Sequence, residues 1–121
     1  MVRIDFTPQR GMIIDLDLNS VKGSETGKIT PCIVVTNDTY NRILSVIQVV
    51  PITNWTEKKA RVKTNITIDK TAKNGLIKKS IADCLQNQPV DYRKRFIKFR
   101  GHLDLVTIEE IDVALRIIFN L

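Results

Sequence analysis

Histidine, cysteine and long apolar runs are scarce in this chain of 121 residues, and each scarcity excludes a class of protein. There is one histidine, and the two cysteines, Cys32 and Cys84, lie in apolar stretches without the spacing of metal ligands. We therefore expect reduced, buried thiols and no metal site. No apolar run reaches the roughly 18 residues that a membrane span needs, and Met1–Asp5 lacks the apolar core of a secretory signal. These absences predict a cytoplasmic protein without a membrane partner or a cofactor.

Positive charge is concentrated in one part of the chain. The net charge is +6, but the segment from Glu57 to Arg100 holds thirteen Lys and Arg against four Asp and Glu, which gives +9 there and about −3 elsewhere. A one-sided basic balance favours a polyanion such as nucleic acid, or a partner protein with an acidic segment. Improved solubility is the alternative explanation, and charge alone leaves the two evenly balanced.

Recognisable catalytic motifs are also missing. The chain has no nucleophile elbow, no phosphate-binding glycine loop, no dinucleotide fingerprint and no carboxylates at a spacing that suits acid–base work. His102 follows Gly101 at an element boundary, so we expect a structural or solvated role for it. An enzyme built from this chain must therefore use polar and basic side chains. RNA cleavage permits this, because the ribose 2′-hydroxyl is an internal nucleophile and the protein only positions phosphate, moves protons and stabilises the oxyanion.

Short β-type segments dominate the pattern and predict a mostly β fold of the α+β class, with one domain over residues 1–121. The predicted strands are Gly11–Asp17, Pro31–Thr36, Ile43–Ile52, Val62–Asp69, Ser80–Leu85 and Phe96–Phe99. Asn37–Thr39 has turn chemistry, Trp55–Arg61 is a polar connection, and Asp91–Lys94 suits one helical turn. Thr107 and Glu110 form a capping-box pattern that predicts the start of a long C-terminal helix. Together these elements predict a small antiparallel barrel or half-barrel with helices at its edge.

Four segments, read in order, resemble the MazF/PemK family of toxin endoribonucleases, the mRNA interferases of type II toxin–antitoxin systems. They are the opening strand Gln9–Asp17, the loop and strand Gly23–Asp38, the strand end Val49–Thr53 and the helical segment Ile111–Leu115. Asn74-Gly75-Leu76, Ser80 and Gln86 also fall where the family has similar residues. The likeness spans residues 9–121. Its specificity comes from the spacing between Gly23 and Pro31 combined with the Pro-x-Thr strand end.

The resemblance implies a fold, an activity and partners. The fold is a small SH3-like antiparallel barrel with short helices and a C-terminal helix, assembled as a two-fold homodimer. The activity is metal-independent cleavage of single-stranded RNA through the 2′-hydroxyl. The restraining partner is a cognate antitoxin whose acidic tail lies over the RNA groove.

The resemblance also places the RNA-binding surface on particular residues. Gly23, Ser24 and Glu25 match the family loop. Ser24 and Glu25 either contact RNA, order the loop or simply cap a turn, and Gly23 supplies the backbone freedom that the loop needs. Gln86 lines the groove or makes an ordinary surface hydrogen bond. Trp55, just past Thr53, either stacks on a base or is a half-buried aromatic residue.

The catalytic pair implied by the resemblance is a threonine, matched by Thr53, and an arginine, whose position holds Thr30. Loss of one preorganised charged donor typically costs about 100- to 1,000-fold in rate, and a threonine cannot clamp a phosphate bidentately. Lys28 is a candidate substitute, because in an extended loop end Lys28 and Thr30 point to the same side. Arg10, Lys22 or a basic residue of a partner subunit are further candidates.

Three hypotheses about function follow from this departure. The first is an active toxin endoribonuclease. The second is a catalytically weakened or inactive member of the same fold that binds RNA or antitoxin. The third is a toxin on the same barrel that targets a protein such as gyrase.

Overall fold

The computed structural model describes residues 6–18 and 28–121, which form an antiparallel sheet with short helices and one long helix. The strands are β1 (Met12–Asp17), β2 (Ile29–Val34), β3 (Val46–Asn54), β4 (Asn65–Ile68), β5 (Ser80–Asp83), β6 (Gln88–Asp91) and β7 (Phe96–His102). The helices are α1 (Asp38–Ile43), α2 (Glu57–Ala60), α3 (Tyr92–Arg95) and α4 (Leu105–Phe119), and Cys84–Gln86 is a 3-10 turn. The prediction of a mostly β fold with short helices and a C-terminal helix is therefore confirmed.

The strand order, over the part of the chain described, is β4-β5-β3-β2-β1-β7, and β6 also pairs with β3. The β2–β3 pairing ends where Cys32 lies opposite Pro51, whereas β3 continues and pairs its last three residues with β5. Continuing the β2–β3 register past its end would set Thr30 opposite Thr53. The sheet therefore opens between β2 and β3 at the position of these two threonines.

Two apolar clusters cover the two faces of the sheet. One contains Ile13, Ile33 and Val50 and is closed by Ile111 and Ala114 of α4. The other is formed by Ile14, Leu16, Cys32, Val34, Ile47, Val49, Val90 and Tyr92. Because successive residues of a strand point to opposite faces, a strand buried on both faces needs an unbroken apolar run, which explains the Cys-Ile-Val sequence of β2. Both cysteines are buried and free of any disulfide, as expected.

The predicted strand Ile43–Ile52 is wrong at its beginning, because a helix precedes it. The side chain of Asn37 accepts a hydrogen bond from the backbone N–H of Thr39 at 2.8 Å and caps α1. The same Asn-Asp-Thr chemistry that favours a turn also favours a helix start. Strand β3 consequently begins at Val46 and runs on to Asn54.

The predicted capping box of the C-terminal helix is also wrong. Helix α4 begins two residues earlier than Thr107, and Asp104 is its N-cap: the carboxylate accepts a hydrogen bond from the Thr107 backbone N–H at 2.8 Å. Asp104 competes for the same position as Thr107 and is at least as good a cap. With Asp104 as the N-cap, the helix gains Leu105, Val106 and Thr107.

Candidate nucleic-acid interface

A cleft of about 660 Å³ lies where β2 and β3 stop pairing, beside the 3-10 turn. Its polar lining includes Lys28, Thr30, Thr53, Lys59, Asp83 and Gln86, and Pro31, Pro51 and Ile52 form much of the apolar floor. The strand ends that form this cleft are held by the two buried clusters. The groove at this position is therefore walled largely by strand ends that the core anchors.

Four of the residues singled out from the sequence meet in this cleft: Thr53, Lys28, Thr30 and Gln86. Thr53 and Thr30 are half-buried, and Lys28 is exposed at the mouth. The Lys28 carbonyl accepts a hydrogen bond from the Leu18 backbone N–H at 3.0 Å, which continues the β1–β2 pairing. The chain is thus already paired at Lys28.

Lys59 is the residue of the cleft that sequence reasoning missed. Its ammonium Nζ donates to the Thr53 hydroxyl Oγ1 at 3.3 Å and to the Asn54 carbonyl at 3.3 Å. The sequence carries one signal for this contact, since Thr56 is a good N-cap and its side chain accepts from the Lys59 backbone N–H at 3.1 Å. A helix starting there turns the chain, so that residue 59 faces back to residue 53. Because Trp55–Arg61 was predicted to be a polar connection, helix α2 within it was missed.

Trp55 and Arg10 lie away from the lining of this cleft. The Trp55 indole N–H donates to the Thr67 hydroxyl at 3.3 Å, and the Lys79 ammonium sits 4.4 Å from the centre of its ring. Arg10 forms an ion pair with Asp112 of α4, on the wall of a different small cavity. Gly23, Ser24 and Glu25, together with Lys22, lie outside the described residues.

Arg100 borders a second, smaller groove of about 180 Å³ that shares Pro31 and Thr53 with the cleft. Its guanidinium is committed to the fold, because Nε donates to the Asp15 carboxylate at 2.6 Å and Nη1 donates to the Gly75 carbonyl at 3.1 Å. Arg100 therefore anchors the wall next to Thr53, while Lys59 is the cation that contacts the Thr53 hydroxyl.

The cysteines do not offer a nucleophile near this site. Burial raises the pKa of the Cys32 thiol to about 12, with a further contribution from the Asp15 carboxylate. Burial also raises the pKa of the Cys84 thiol to about 12, aided by Asp83. A thiol with so high a pKa is protonated at neutral pH and is a poor nucleophile.

Neither a cluster of metal-ligating side chains nor a membrane-spanning helix is found in residues 6–18 and 28–121. No three His, Cys, Asp or Glu side chains there converge closely enough to hold a metal ion. Among the helices of the same residues, none is long and apolar enough to cross a bilayer.

The fold that carries this cleft is shared with solved structures of MazF proteins. The chain superposes on the crystal structure of MazF from Deinococcus radiodurans with a TM-score of 0.78 at 18% identity, covering 97% of this chain and 100% of that one. It superposes on an endoribonuclease from a mycobacterial species, solved in complex with its cognate antitoxin, with a TM-score of 0.72 at 18% identity, covering 94% and 96% of the two chains. At this identity the likeness is one of fold.

Sequence comparison carries the assignment further. Residues 9–119 match the family described as the PemK-like, MazF-like toxin of type II toxin–antitoxin systems. The chain is also 32% identical over 109 residues to endoribonuclease EndoA of Bacillus subtilis strain 168, covering 90% of this chain and 91% of the relative. The chain belongs to the PemK-like, MazF-like toxin family of type II toxin–antitoxin systems, and it is a homologue of an endoribonuclease. The resemblance read from the sequence is confirmed.

Proposed function

We propose that this chain, as one domain in the cytoplasm, cleaves single-stranded RNA through the ribose 2′-hydroxyl without a metal ion. The observation that carries the proposal is the half-buried hydroxyl of Thr53, which lies in the open ladder between β2 and β3 with an ammonium group 3.3 Å away. The hydroxyl, amide and ammonium groups of the cleft suit a phosphodiester, because they donate hydrogen bonds to its oxygens, whereas the Asp83 carboxylate of the same lining accepts hydrogen bonds.

The proposed reaction is an internal transesterification. The 2′-oxygen forms a bond to phosphorus while the bond from phosphorus to the 5′-oxygen breaks. The 2′-hydroxyl loses a proton and the departing 5′-oxygen gains one, so that the products are a 2′,3′-cyclic phosphate and a 5′-hydroxyl end. No water is consumed, and the protein accelerates the step by holding the reacting atoms in line and by stabilising the charge on the phosphoryl oxygens.

Recognition of RNA in this proposal uses the polar rim of the same cleft. Lys28 at the mouth adds positive charge for the backbone, and the Gln86 amide has both donors and acceptors for an unpaired base. Bases can be reached in this way when the strand is single, because their pairing edges are then free. We assign Gly23, Ser24 and Glu25 to the same surface on the strength of the family resemblance.

A cognate antitoxin with an acidic tail is the proposed protein partner. The structural relative from a mycobacterial species was solved with its cognate antitoxin, and the +9 segment of this chain, Glu57–Arg100, would attract an acidic peptide. Lys59, within that segment, lines the cleft. A carboxylate-rich tail lying there would compete with RNA for the same charge.

We also propose that the sheet closes as an SH3-like barrel and that two chains form a two-fold dimer. The first part of β3 pairs with β2 and β6, and its last three residues pair with β5. Such a change of pairing partner along one strand allows the sheet to curl towards a closed barrel. Exposed apolar side chains at Tyr40, Ile43, Leu44 and Val46 support a protein contact. A molar mass of one chain in light scattering would contradict the dimer.

Cleavage in the presence of EDTA tests the proposed activity. Wild-type protein should cut a mixed-sequence RNA, whereas Thr53→Ala should lose about 100-fold or more in rate. An RNA with 2′-deoxyribose at the cut position should resist the wild-type protein, since it lacks the nucleophile. Failure of the wild type to cut in EDTA, or equal cutting by Thr53→Ala, would contradict the proposal.

A second candidate function is RNA or antitoxin binding by a catalytically weakened toxin. It is favoured by one observation, namely that Thr30 places a neutral hydroxyl where the family resemblance implies an arginine. Binding of RNA without cleavage by the wild type, together with cleavage by Thr30→Arg, would establish this candidate. Cleavage by the wild type at a rate that Thr30→Arg does not raise would exclude it.

A further inference from the structure

The cleft has a cation in contact with Thr53 even though position 30 lacks one. The Lys59 ammonium reaches the Thr53 hydroxyl from α2, the helix that follows the end of β3. Thr30 and Lys59 line the same cleft. The positive charge therefore approaches Thr53 from a surface turn, whereas the resemblance implies a cation on the β2 strand.

Lys59 is held in this position by its backbone. Its N–H donates to the Thr56 hydroxyl at 3.1 Å, and its carbonyl accepts from the Asn65 side-chain amide at 3.0 Å. Both ends of the residue are thus fixed, one by the cap of α2 and the other by β4. The side chain is partly buried, whereas its neighbour Lys58 in the same helix is exposed. These contacts fix the backbone from which the Lys59 side chain extends, and the ammonium group is placed by its two 3.3 Å contacts, with the Thr53 hydroxyl and the Asn54 carbonyl.

Lys59 forms no ion pair within the described residues, although the Asp83 carboxylate lines the same cleft. The two acceptors of Nζ are a hydroxyl and a carbonyl, both neutral. Arg10, Arg61 and Arg100, by contrast, each form an ion pair with a carboxylate. An ammonium group has three donors, so one N–H remains for an anion that enters the cleft. A lysine in this state is suited to bind a phosphoryl oxygen.

We propose that Lys59 is a catalytic residue that stabilises the negative phosphoryl oxygens at Thr53, in place of an arginine at position 30. The inference rests on the proposed RNA cleavage and names the group that supplies its charge. Lys59 donates to one phosphoryl oxygen as charge develops, and the Thr53 hydroxyl is held in place by the same ammonium. Lys28, exposed at the mouth, contributes to binding of the strand and not to the chemical step.

The test compares Lys59→Ala with Lys59→Arg and with Lys58→Ala, which removes the same charge from an exposed position of the same helix. Single-turnover cleavage in EDTA gives the rate constant, and a 2′-O-methyl RNA, which cannot react, gives the affinity. Lys59→Ala should slow cleavage by about 100- to 1,000-fold and weaken binding far less. Lys59→Arg should recover much of the rate because it keeps the charge, and Lys58→Ala should stay within about twofold of the wild type.

A rescue experiment separates chemistry from folding. Adding Thr30→Arg to Lys59→Ala should restore cleavage, since a guanidinium then reaches the phosphate from the opposite strand. Unchanged thermal unfolding of each variant shows that the loss is not structural. If the wild type cleaves and Lys59→Ala cleaves equally well, the role of Lys59 is overturned while the proposed function stands. If the wild type itself does not cleave, the proposed function fails first.

Discussion

Asp15 and Arg100 form a charged pair whose carboxylate is buried in the sheet, next to the wall of the cleft. The Arg100 guanidinium joins β7 to β1 through Asp15 and to the Gly75 turn through the carbonyl there. The backbone at Gly75 has a φ of +69°, and a Cβ at that position would collide with the Arg100 carbonyl. Arg100 and Gly75 thus set how closely β1, β7 and the Gly75 turn pack against one another beside Thr53.

Removing one partner of this ion pair should destabilise the fold. Asp15→Ala leaves a largely buried guanidinium without its counter-charge, so the free energy of unfolding should fall by about 3–5 kcal/mol. Urea unfolding followed by the fluorescence of Trp55, the one tryptophan of the chain, measures the change. Asp112→Ala is the control, since its ion pair with Arg10 is about one-third exposed and should contribute only about 0–1 kcal/mol. An equal decrease in the free energy of unfolding for Asp15→Ala and Asp112→Ala would contradict the prediction that the buried ion pair contributes more.

The individual elements differ in how well the sequence predicts them. Strand β1 was predicted from the alternation of apolar and polar residues over Ile14–Asp17. Strand β2 was predicted from its continuous apolar run, although it begins two residues before Pro31. Strand β6 was missed because Pro89 argues against a strand. Proline has no backbone N–H to donate to a neighbouring strand, so it is tolerated in an edge strand. Within the described residues β6 pairs only with β3, and Pro89 therefore lies in such an edge strand. Helix α2 was missed because it spans only four residues and has no apolar face.

The cap of α4 gives a prediction at the scale of the element. Hydrogen bonds from the Thr107 hydroxyl and backbone N–H lower the pKa of Asp104 below its ordinary value. A carboxyl with a lowered pKa stabilises the fold above its unfolded-state pKa, and that contribution is lost as the pH falls through the lower, folded-state value. Asp104→Ala should therefore lower the melting temperature at pH 7, and the difference from wild type should shrink below about pH 4.

Asp104→Asn distinguishes the cap from the charge. Asparagine keeps an acceptor for the Thr107 N–H and is itself a good N-cap, so it should retain most of the melting temperature at pH 7. Its melting temperature should also lack the pH dependence that Asp104 confers. A constant difference between wild type and Asp104→Ala from pH 7 down to pH 2.5 would exclude a role for the carboxylate charge.

The whole molecule buries both thiols, one in each apolar cluster. Since both have a pKa of about 12 and no access to solvent, a thiol reagent at pH 8 should react only when the molecule unfolds. Native protein should show almost no reaction with a disulfide reagent over an hour, and protein in guanidinium chloride should show two reactive thiols. Rapid reaction of native protein would mean that one cluster opens separately from the other.

The sequence singled out four residues that line one cleft, Thr53, Thr30, Lys28 and Gln86, but it did not single out Lys59. Thr53 was found through its strand-end motif, and Thr30 and Lys28 through the loop spacing. The contact between Lys59 and Thr53 depends on a one-turn helix and on the Asn65 side chain of another strand. No periodicity in the sequence encodes such a contact, because it results from how three segments meet in space.

The lysine that contacts Thr53 is carried by a surface turn that neither apolar cluster includes. If Lys59 supplies the charge for cleavage, one base change in the gene can add or remove it without disturbing either core. Activity in such toxins could then be lost and regained between close relatives while their strands stay the same. Judging a toxin active or silent by the residue at position 30 alone would misclassify such chains, and residue 59 should be inspected with it.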